Sequence, residues 1–307
     1  MNELVSKLQE LEKETILNLG SSKSINTLRA YRSDFFDFEK FCIKYNFKSL
    51  PSDTKTISLY MTDLSKSNKF STLKRRLASI SVIHKIKGFH IDTKHPVIRE
   101  NLIGIKRKIG SHQKGKKPLL INNLYKIIDL IDNNKVNKKL LSLRDKGILL
   151  LGFSGGFRRS ELVSIEKSDL EFVSEGVKIT LRKSKNDQFG EGLVKGIPYF
   201  KNAKYCPVIA VQNWISYSDR LNEKKLFPCS DKTVALIVKK YLGLIGQDSN
   251  QYSGHSLRSG FATSTAASGA DERSIMAMTG HKSTEMVRRY IKEANLFKNN
   301  ALNKINI

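Results

Sequence analysis

Cysteine is scarce in this chain, which contains three cysteines in 307 residues. Cys42, Cys206 and Cys229 are odd in number and far apart in the sequence. They therefore form neither a disulfide framework nor a cluster of metal ligands. This usage is typical of a reducing compartment, and we expect a cytoplasmic protein.

Long apolar runs are also absent. No stretch approaches the roughly eighteen apolar residues that a membrane-spanning helix needs. The opening MNELVSKLQE mixes charges and has no apolar core, so we expect no signal peptide. We predict no membrane partner on these grounds.

Acidic residues are few relative to basic ones. Lysine and arginine number 54 against 29 aspartates and glutamates, which gives a formal charge of +25. Neutralising a polyanion releases its counterions, so such an excess favours a polyanionic partner. Nucleic acid is the first interpretation and an acidic membrane the second, while a merely solvated basic surface is the third. With nucleic acid as the partner, the expected location is the nucleoid.

The first third of the chain has the apolar spacing of helices only. Leu28, Phe35 and Phe38 belong to one such stripe, for which Ser24 is a plausible N-cap. We predict a helical bundle over residues 1–108, with His84 as a satisfied core or boundary histidine. Its free faces carry the candidates for DNA backbone contacts, which are Lys74, Arg75, Arg76, Lys106, Arg107 and Lys108.

A basic segment separates this bundle from the rest of the chain. Between Lys106 and Lys117 there are six lysines or arginines and no acidic residue, with two glycines and one serine among them. Such a stretch repels itself and cannot bury a core. We interpret residues 109–118 as an extended linker between two domains.

Residues 119–307 have a mixed pattern. Helical spacing dominates, and residues 140–153 are apolar enough to form a buried helix that ends at Gly155 and Gly156. Residues 169–173, 177–182 and 193–197 have the composition of strands, which predicts a small antiparallel sheet. The turn-rich interval before the last strand contains Lys183 and Lys185. The chain as a whole is therefore predicted to be multidomain, α followed by α+β.

The last quarter carries side chains that can handle a phosphate. His255 and Arg258 lie three residues apart, which places both on one face of a helix that begins there. A helix N-terminus also favours an anion. His281 follows Thr279-Gly280, and Tyr290 comes nine residues after His281. These groups are all able to contact phosphate oxygens.

No motif for a metal or nucleotide cofactor accompanies these side chains. The sequence has no Gly-rich phosphate loop ending in Lys-Ser/Thr and no carboxylate cluster fit for magnesium, which argues against a two-metal nuclease. We therefore expect no cofactor and no metal. Nucleophilic transfer by a side chain remains, and the Tyr290 phenol is a candidate nucleophile once a base or nearby cations favour its phenolate.

Two adjacent arginines, Arg158 and Arg159, directly follow the apolar run in the segment GFRRSEL. Paired arginines are commonly surface charge. An arginine at the end of a buried helix is, however, already positioned, as a clamp on a transition state has to be. The spacing alone leaves open which of the two faces a site.

Three segments together resemble the signature boxes of the tyrosine recombinases, also called phage-type integrases. They are GFRRSEL, GHSLRSGFATSTAASGA and TGHKSTEMVRRYI. The likeness covers most of the chain and is strongest to simple two-domain members of the Cre and Xer type. It implies a SAM-like, core-binding helical bundle in residues 1–108 and a mainly helical catalytic domain with a small sheet in residues 119–307.

The resemblance also implies roles for individual residues. Arg158 and Arg258 would clamp the scissile phosphate, Tyr290 would be the nucleophile, and His255 would transfer protons. Lys185 matches the general acid, although Lys183 is close enough to compete. His281 matches a position that contacts the phosphate, and Glu161 one that braces the site. The implied catalytic set is Arg158, Lys185, His255, Arg258, His281 and Tyr290.

The activity implied is site-specific recombination of double-stranded DNA. A 3′-phosphotyrosine intermediate would store the energy of the cleaved bond, and a homotetramer on two DNA sites would exchange strands through a Holliday junction. The target sequence and any accessory proteins are not encoded in these motifs. The alternatives are an enzyme resembling type IB topoisomerases, a telomere-resolving enzyme, and a DNA-binding protein whose catalytic residues are idle.

Overall fold

The structure is a computed structural model that describes residues 23–111, 115–133, 139–182, 192–219, 222–281 and 283–295, with isolated residues elsewhere. Most of residues 1–22 and the hairpin lysines Lys183 and Lys185 lie outside the described residues. The chain divides into two compact units, residues 1–114 and 115–307. The division falls inside the basic segment 109–118.

The first unit contains helices at the places where the apolar spacing predicted them. They are α1 (Ile25–Lys44), α2 (Thr54–Ser65), α3 (Phe70–Ile86) and α4 (Pro96–Ile109). Polar caps fix where two of them begin, because a side-chain oxygen satisfies an unpaired amide of the first turn. Ser24 accepts from the amide of Thr27, and Asp53 accepts from that of Thr56.

Aromatic and aliphatic side chains fill the interior of this bundle. Phe35 and Phe38 of the predicted stripe are buried, together with Phe41 and Cys42. His84 is fully buried as well, and its Nδ1 donates to the Ile80 carbonyl at 2.9 Å while its Nε2 accepts from the Ser52 amide at 3.0 Å. The prediction of a satisfied core histidine is confirmed. Burial also lowers the pKa of His84.

One basic side chain of α3 does not lie where the sequence placed it. Lys74 is exposed, as predicted. Arg75 is half exposed and pairs with Asp34, a carboxylate that is itself buried. Arg76 is turned into the bundle and pairs with Asp37. The prediction that Arg76 lies on a free basic face is wrong, because the carboxylates of α1 draw its guanidinium inward.

The second unit is mainly helical with one small sheet, as the sequence predicted. Its elements are α5 (Ile121–Asn133), α6 (Lys139–Ser154), α7 (Arg159–Ser164), β1 (Leu170–Val173), β2 (Gly176–Leu181), β3 (Leu193–Pro198), α8 (Pro207–Ser218), α9 (Asp231–Leu244), α10 (Ser256–Ala267), α11 (Glu272–Thr279) and α12 (Thr284–Ala294). None of the helices in the described part of the chain is long and apolar enough to cross a membrane.

The sheet is antiparallel with the order β1-β2-β3. In its register Leu170 lies opposite Ile179, and Ile179 lies opposite Lys195. Alternate residues of β2 and β3 are buried, as expected for strands with one face against a core. The inward face includes Val177, Ile179 and Ile197.

Helix α6 is the centre of the second unit. Residues 147–154 are buried on all sides of the helix, which packs against α8 and α10. It ends at the predicted glycine pair. Gly156 has φ +54°, a left-handed conformation that favours glycine after a helix. A Cβ on Gly155 would lie 2.0 Å from the Phe157 ring, so the turn requires glycine there as well.

The second half of the basic segment is fixed on this unit and does not run free as an extended linker. The Lys117 amide donates to the Gln251 carbonyl at 2.7 Å, and the Leu119 amide donates to the Ser256 carbonyl at 2.9 Å. The chain passes so close to α10 that a Cβ on Gly260 would lie 1.9 Å from the Leu119 carbonyl oxygen. These contacts brace α10 where it begins.

We expect Gly260→Ala to destabilise the protein by about 1–3 kcal/mol, the usual cost of forcing a side chain into a packed contact. Gly243→Ala is the matched control, because Gly243 is also helical and a Cβ there would meet nothing within 4 Å. The control should be neutral or slightly stabilising. Urea unfolding midpoints measure both variants. Equal stability of the two would contradict the close packing of residues 115–120 on α10.

Candidate active site

Arg158 is held at the start of α7 by Glu161. The Arg158 amide donates to Glu161 Oε2 at 2.9 Å, and its guanidinium forms an ion pair with Glu161 Oε1. A second guanidinium nitrogen of Arg158 donates to the Gly280 carbonyl at 3.4 Å. Glu161 is 4% exposed, so the pair is sheltered from water. Arg158 is the N-cap of α7, and a glutamate three residues after an N-cap can reach back to its amide in this way.

Arg258 is a fully buried arginine on α10. Its Nη1 donates to the Gly156 carbonyl at 2.9 Å. Nε and Nη2 are buried and have no hydrogen-bond partner within the described part of the protein. Burial, followed by the charge of Arg158, lowers the pKa of Arg258 to about 10. A buried cation with unused donors is costly unless an anion completes it.

His281 follows α11 and has a defined tautomer. Thr279 donates its hydroxyl proton to the Ile275 carbonyl at 2.6 Å. The 2.7 Å contact between Thr279 Oγ1 and His281 Nδ1 is therefore assigned as a hydrogen bond donated by the imidazole. The unprotonated nitrogen of the neutral ring is then Nε2.

The environment of His281 is strongly cationic. Burial is the largest cause that lowers its pKa, followed by the charges of Arg258, Arg158 and His255, and the resulting pKa is about 4. Electrostatic effects of this kind require the charged groups to be near the imidazole. Arg158 reaches the Gly280 carbonyl, directly before His281. The charges of Arg258 and His255 act on the same imidazole, so these four groups lie near one another.

Tyr290 is placed beside this cluster by α12. Its side chain is 8% exposed and packs with Ala262, Ala266 and Val287 between α10 and α12. The Tyr290 ring lies 6.2 Å from that of His281, measured between centroids. Tyr290 also acts electrostatically on Arg258. The phenol is thus fixed by packing on the same side as the cations.

His255 is the residue directly before α10, and its side chain is exposed. Its effect on the pKa of His281 places it at the edge of the same cluster. The structure thus brings together five of the six residues that the motifs predicted, from three separate segments, and the sixth, Lys185, lies outside the described residues. The members described are Arg158, His255, Arg258, His281 and Tyr290.

The neighbouring Arg159 points elsewhere. It pairs with Asp231, at the start of α9, at 3.7 Å. Its aliphatic part lies against Gly254, where a Cβ would be 1.9 Å from Arg159 Cδ. The spacing alone could not tell which of the two adjacent arginines belongs to the site. The structure distinguishes them, because Arg158 faces the cluster and Arg159 does not.

Lys195 of β3 was not predicted as a site residue. It is 2% exposed, and its Nζ donates to the Gly155 carbonyl at 2.8 Å, directly before the turn that leads to Arg158. The sequence indicated only that Lys195 lies on a strand with alternating faces, and this pattern does not indicate which face is buried. Among the described residues, no group of three or more histidines, cysteines or carboxylates is placed to hold a metal ion.

Comparison with known proteins gives an independent view of the chain. The sequence pattern described as the phage integrase family matches residues 119–296. The chain is 41% identical to an integrase/recombinase XerD homolog from Selenomonas ruminantium, over 99% of this chain and 92% of that protein. It is also 25% identical to tyrosine recombinase XerC from Syntrophus aciditrophicus, over 92% and 93% of the two chains.

Solved structures share the fold. A XerH site-specific recombinase bound to a palindromic difH substrate matches with a TM-score of 0.62 at 16% identity, over 85% of this chain and 76% of that one. A lambda integrase dimer bound to a COC′ core site matches with a TM-score of 0.58 at 18% identity, over 92% and 93% of the two chains. At such low sequence identity these matches indicate a shared fold and nothing more specific.

We expect the imidazole of His281 to stay neutral in the free protein until the pH falls to about 4. The unfolded chain binds this proton near pH 6.5, so the stability gained from the buried neutral ring is present above pH 6.5 and is lost as pH falls toward 4. NMR titration of the histidine side chains, with His281→Gln to assign the signal, measures this. A His281 midpoint at or above 6.5 would contradict the cationic cluster.

Proposed function

The chain is a tyrosine recombinase of the phage integrase family, and from this premise we propose that it cuts and rejoins DNA at a specific site through a 3′-phosphotyrosine intermediate. The proposal rests on the buried Arg258 guanidinium, whose Nε and Nη2 have no hydrogen-bond partner among the described residues and which lies near Arg158. These two nitrogens need acceptors. A tetrahedral phosphate fits this need, because its oxygens accept several such donors at once.

In the cleavage step the Tyr290 Oη attacks the scissile phosphorus. A bond forms between the phenolic oxygen and the 3′-phosphate, while the bond from phosphorus to the 5′-oxygen breaks. The phenol loses its proton and the leaving 5′-oxygen gains one, so a 5′-hydroxyl is released. Attack by another 5′-hydroxyl on the phosphotyrosine reverses these changes and frees Tyr290.

The two arginines supply the charge that this step needs. Negative charge grows on the non-bridging oxygens during the attack, and donors that are fixed beforehand stabilise it without reorganisation. Arg158 is fixed by Glu161, and Arg258 by the Gly156 carbonyl. Glu161 therefore braces the site and does not itself react.

The remaining residues handle protons. We assign Lys185 as the donor to the leaving 5′-oxygen, on the family resemblance of the segment between β2 and β3. His255, exposed beside the start of α10, is the proton-transfer histidine. A bound phosphate raises the pKa of a nearby imidazole, so His281 can then carry a proton on Nε2 and donate it toward a phosphate oxygen.

The basic residues of the first unit are proposed to hold the DNA backbone. Lys74, Lys106, Arg107 and Lys108 are exposed and suited to phosphate contacts. Arg75 shares its charge with Asp34 and Arg76 with Asp37, so both contribute less. We propose residues 1–108 as the core-binding domain, 109–118 as a linker whose second half is fixed on the catalytic domain, and 119–307 as the catalytic domain.

The assembly is proposed from the same family relationship. Four protomers would act on two DNA sites and exchange strands in pairs through a Holliday junction. The solved XerH and lambda integrase structures are of proteins bound to their own DNA sites. We propose that the segment after Tyr290, which includes the exposed Phe297, docks on a neighbouring protomer.

We expect Tyr290→Phe to abolish covalent attachment to DNA while leaving DNA binding unchanged, because only the nucleophilic oxygen is lost. The wild-type protein is trapped on genomic DNA by denaturation, and the attached ends are sequenced to find the site. Duplexes with that site then compare the variant with Tyr199→Phe, a control at an exposed tyrosine. An adduct formed by Tyr290→Phe would show that another residue is the nucleophile.

Arg158→Ala and Arg258→Ala should each slow adduct formation by about a hundredfold or more, the usual cost of removing a donor to a transition-state charge. Arg159→Ala is the matched control, because Arg159 is the adjacent arginine but pairs with Asp231 outside the cluster. Single-turnover cleavage of the same duplex gives the rates. Equal losses at Arg158 and Arg159 would contradict the assignment of the clamp.

A further inference from the structure

Lys195 is a lysine buried in the second unit beside the active-site cluster. Its Nζ donates to the Gly155 carbonyl at 2.8 Å and lies 4.4 Å from the centroid of the Phe157 ring. Lysines are rarely buried unless their charge is satisfied. A carbonyl oxygen and an aromatic face both stabilise an ammonium group, so this one has two partners in the same short segment.

That segment is a single turn that contacts both arginines of the site. Arg158 directly follows it in the chain, and Arg258 is hydrogen-bonded to it. Gly155, Gly156 and Phe157 connect the end of α6 to Arg158. The Gly155 carbonyl accepts from Lys195, and the next carbonyl, that of Gly156, accepts from Arg258 Nη1 at 2.9 Å. A shift of this turn would therefore move the Gly156 carbonyl, to which the Arg258 guanidinium is hydrogen-bonded. It would also move the backbone of Arg158.

Resting on the function proposed above, we propose that Lys195 is a positioning residue for strand cleavage, which holds the Gly155–Phe157 turn so that Arg158 and Arg258 meet one phosphate. Lys195 acts on the reaction through the turn. It is distinct from Lys185, which is assigned to the leaving group and lies on the chain between β2 and β3. Because Lys195 belongs to β3, it ties the sheet to the arginine turn.

The charges around Lys195 are consistent with this role. Burial lowers the pKa of Lys195 to about 8, Glu161 raises it, and Arg258 and Arg158 lower it further. With that value the ammonium form still dominates near pH 7. A charged donor binds a carbonyl more strongly than a neutral amine does, so the tether is strongest in this form.

The test compares Lys195→Met with Lys195→Arg. Methionine keeps the apolar stem without the ammonium group, whereas arginine restores a charged donor. Lys178→Met is the matched control on the neighbouring strand, because Lys178 is half exposed and pairs with Glu171. If Lys195→Met does not fold, Lys195→Gln takes its place. Thermal melting and DNA affinity are measured for each variant on the duplex found by genomic trapping.

We expect Lys195→Met to slow adduct formation by about ten- to a hundredfold, because small misplacements of catalytic groups have effects of that size. DNA affinity should stay unchanged, and Lys195→Arg should recover to within about tenfold of the wild type. Full activity of Lys195→Met, or a loss that follows only from weaker DNA binding or lower stability, would overturn the proposal.

A modified DNA separates positioning from proton donation. In a duplex whose bridging 5′-oxygen is replaced by sulfur, the leaving thiolate needs no proton, because a thiol is far more acidic than an alcohol. We expect this duplex to rescue Lys185→Met and to leave the defect of Lys195→Met in place. Rescue of Lys195→Met would make Lys195 the general acid and overturn its assignment as a positioning residue.

A measurement without DNA keeps this proposal separate from the proposed function. In the free protein the amides of Gly156 and Phe157 are hydrogen-bonded to the Phe153 and Gly152 carbonyls. Hydrogen exchange of these amides should accelerate in Lys195→Met and return toward the wild-type rate in Lys195→Arg. Unchanged exchange would overturn the tether even if the wild type proved unable to form an adduct. Faster exchange together with no wild-type adduct would contradict only the function.

Discussion

The buried guanidinium of Arg258 is the group around which the active-site part of the second unit is arranged. Arg258 is fully buried with two guanidinium nitrogens that have no hydrogen-bond partner among the described residues, a state that is costly in free energy until an anion completes it. The fold meets this constraint with the Gly156 carbonyl and with the Arg158–Glu161 pair close by. An anion that enters the site completes the hydrogen bonds that the protein leaves open, so the same arrangement that strains the free protein favours binding of a phosphate.

The packing around α10 follows from this requirement. The chain at Leu119 lies directly against α10, and α12 covers its other side with Val287 and Tyr290. The turn after α6 is built from glycines, since a Cβ on Gly155 would collide with Phe157. Rigid surroundings of this kind let the phenol and the cations keep a fixed geometry before DNA arrives.

Much of this architecture could be predicted from the sequence, because the residues that one face of a helix or strand buries recur along the chain with the period of that element. The stripe through Phe35 and Phe38 predicted α1, and the apolar run before Gly155 predicted the buried helix α6. Five of the six motif residues lie in one cluster, but the spacing of the residues alone could not separate Arg158 from Arg159. That choice depends on Asp231, which is distant in sequence and reaches only Arg159.

Other features could not be predicted because they depend on tertiary partners. In β3 the lysine faces inward at 2% exposure while Val194 is 61% exposed, the reverse of what hydrophobicity alone predicts. Strand alternation gives two faces but does not say which one is buried. Arg76 turns inward for the same kind of reason, since the carboxylates of α1 outweigh its preference for water.

In the proposed intermediate, one phosphate completes the hydrogen bonds of Arg258 and is joined to Tyr290. The most direct measurement is an experimental structure of the protein covalently trapped on its DNA site. We predict that the 3′-phosphorus is bonded to the Tyr290 oxygen, with Arg258 Nε and Nη2 and the Arg158 guanidinium within hydrogen-bond distance of its non-bridging oxygens. A phosphate attached elsewhere, with those two nitrogens of Arg258 bound to protein or water, would contradict the account.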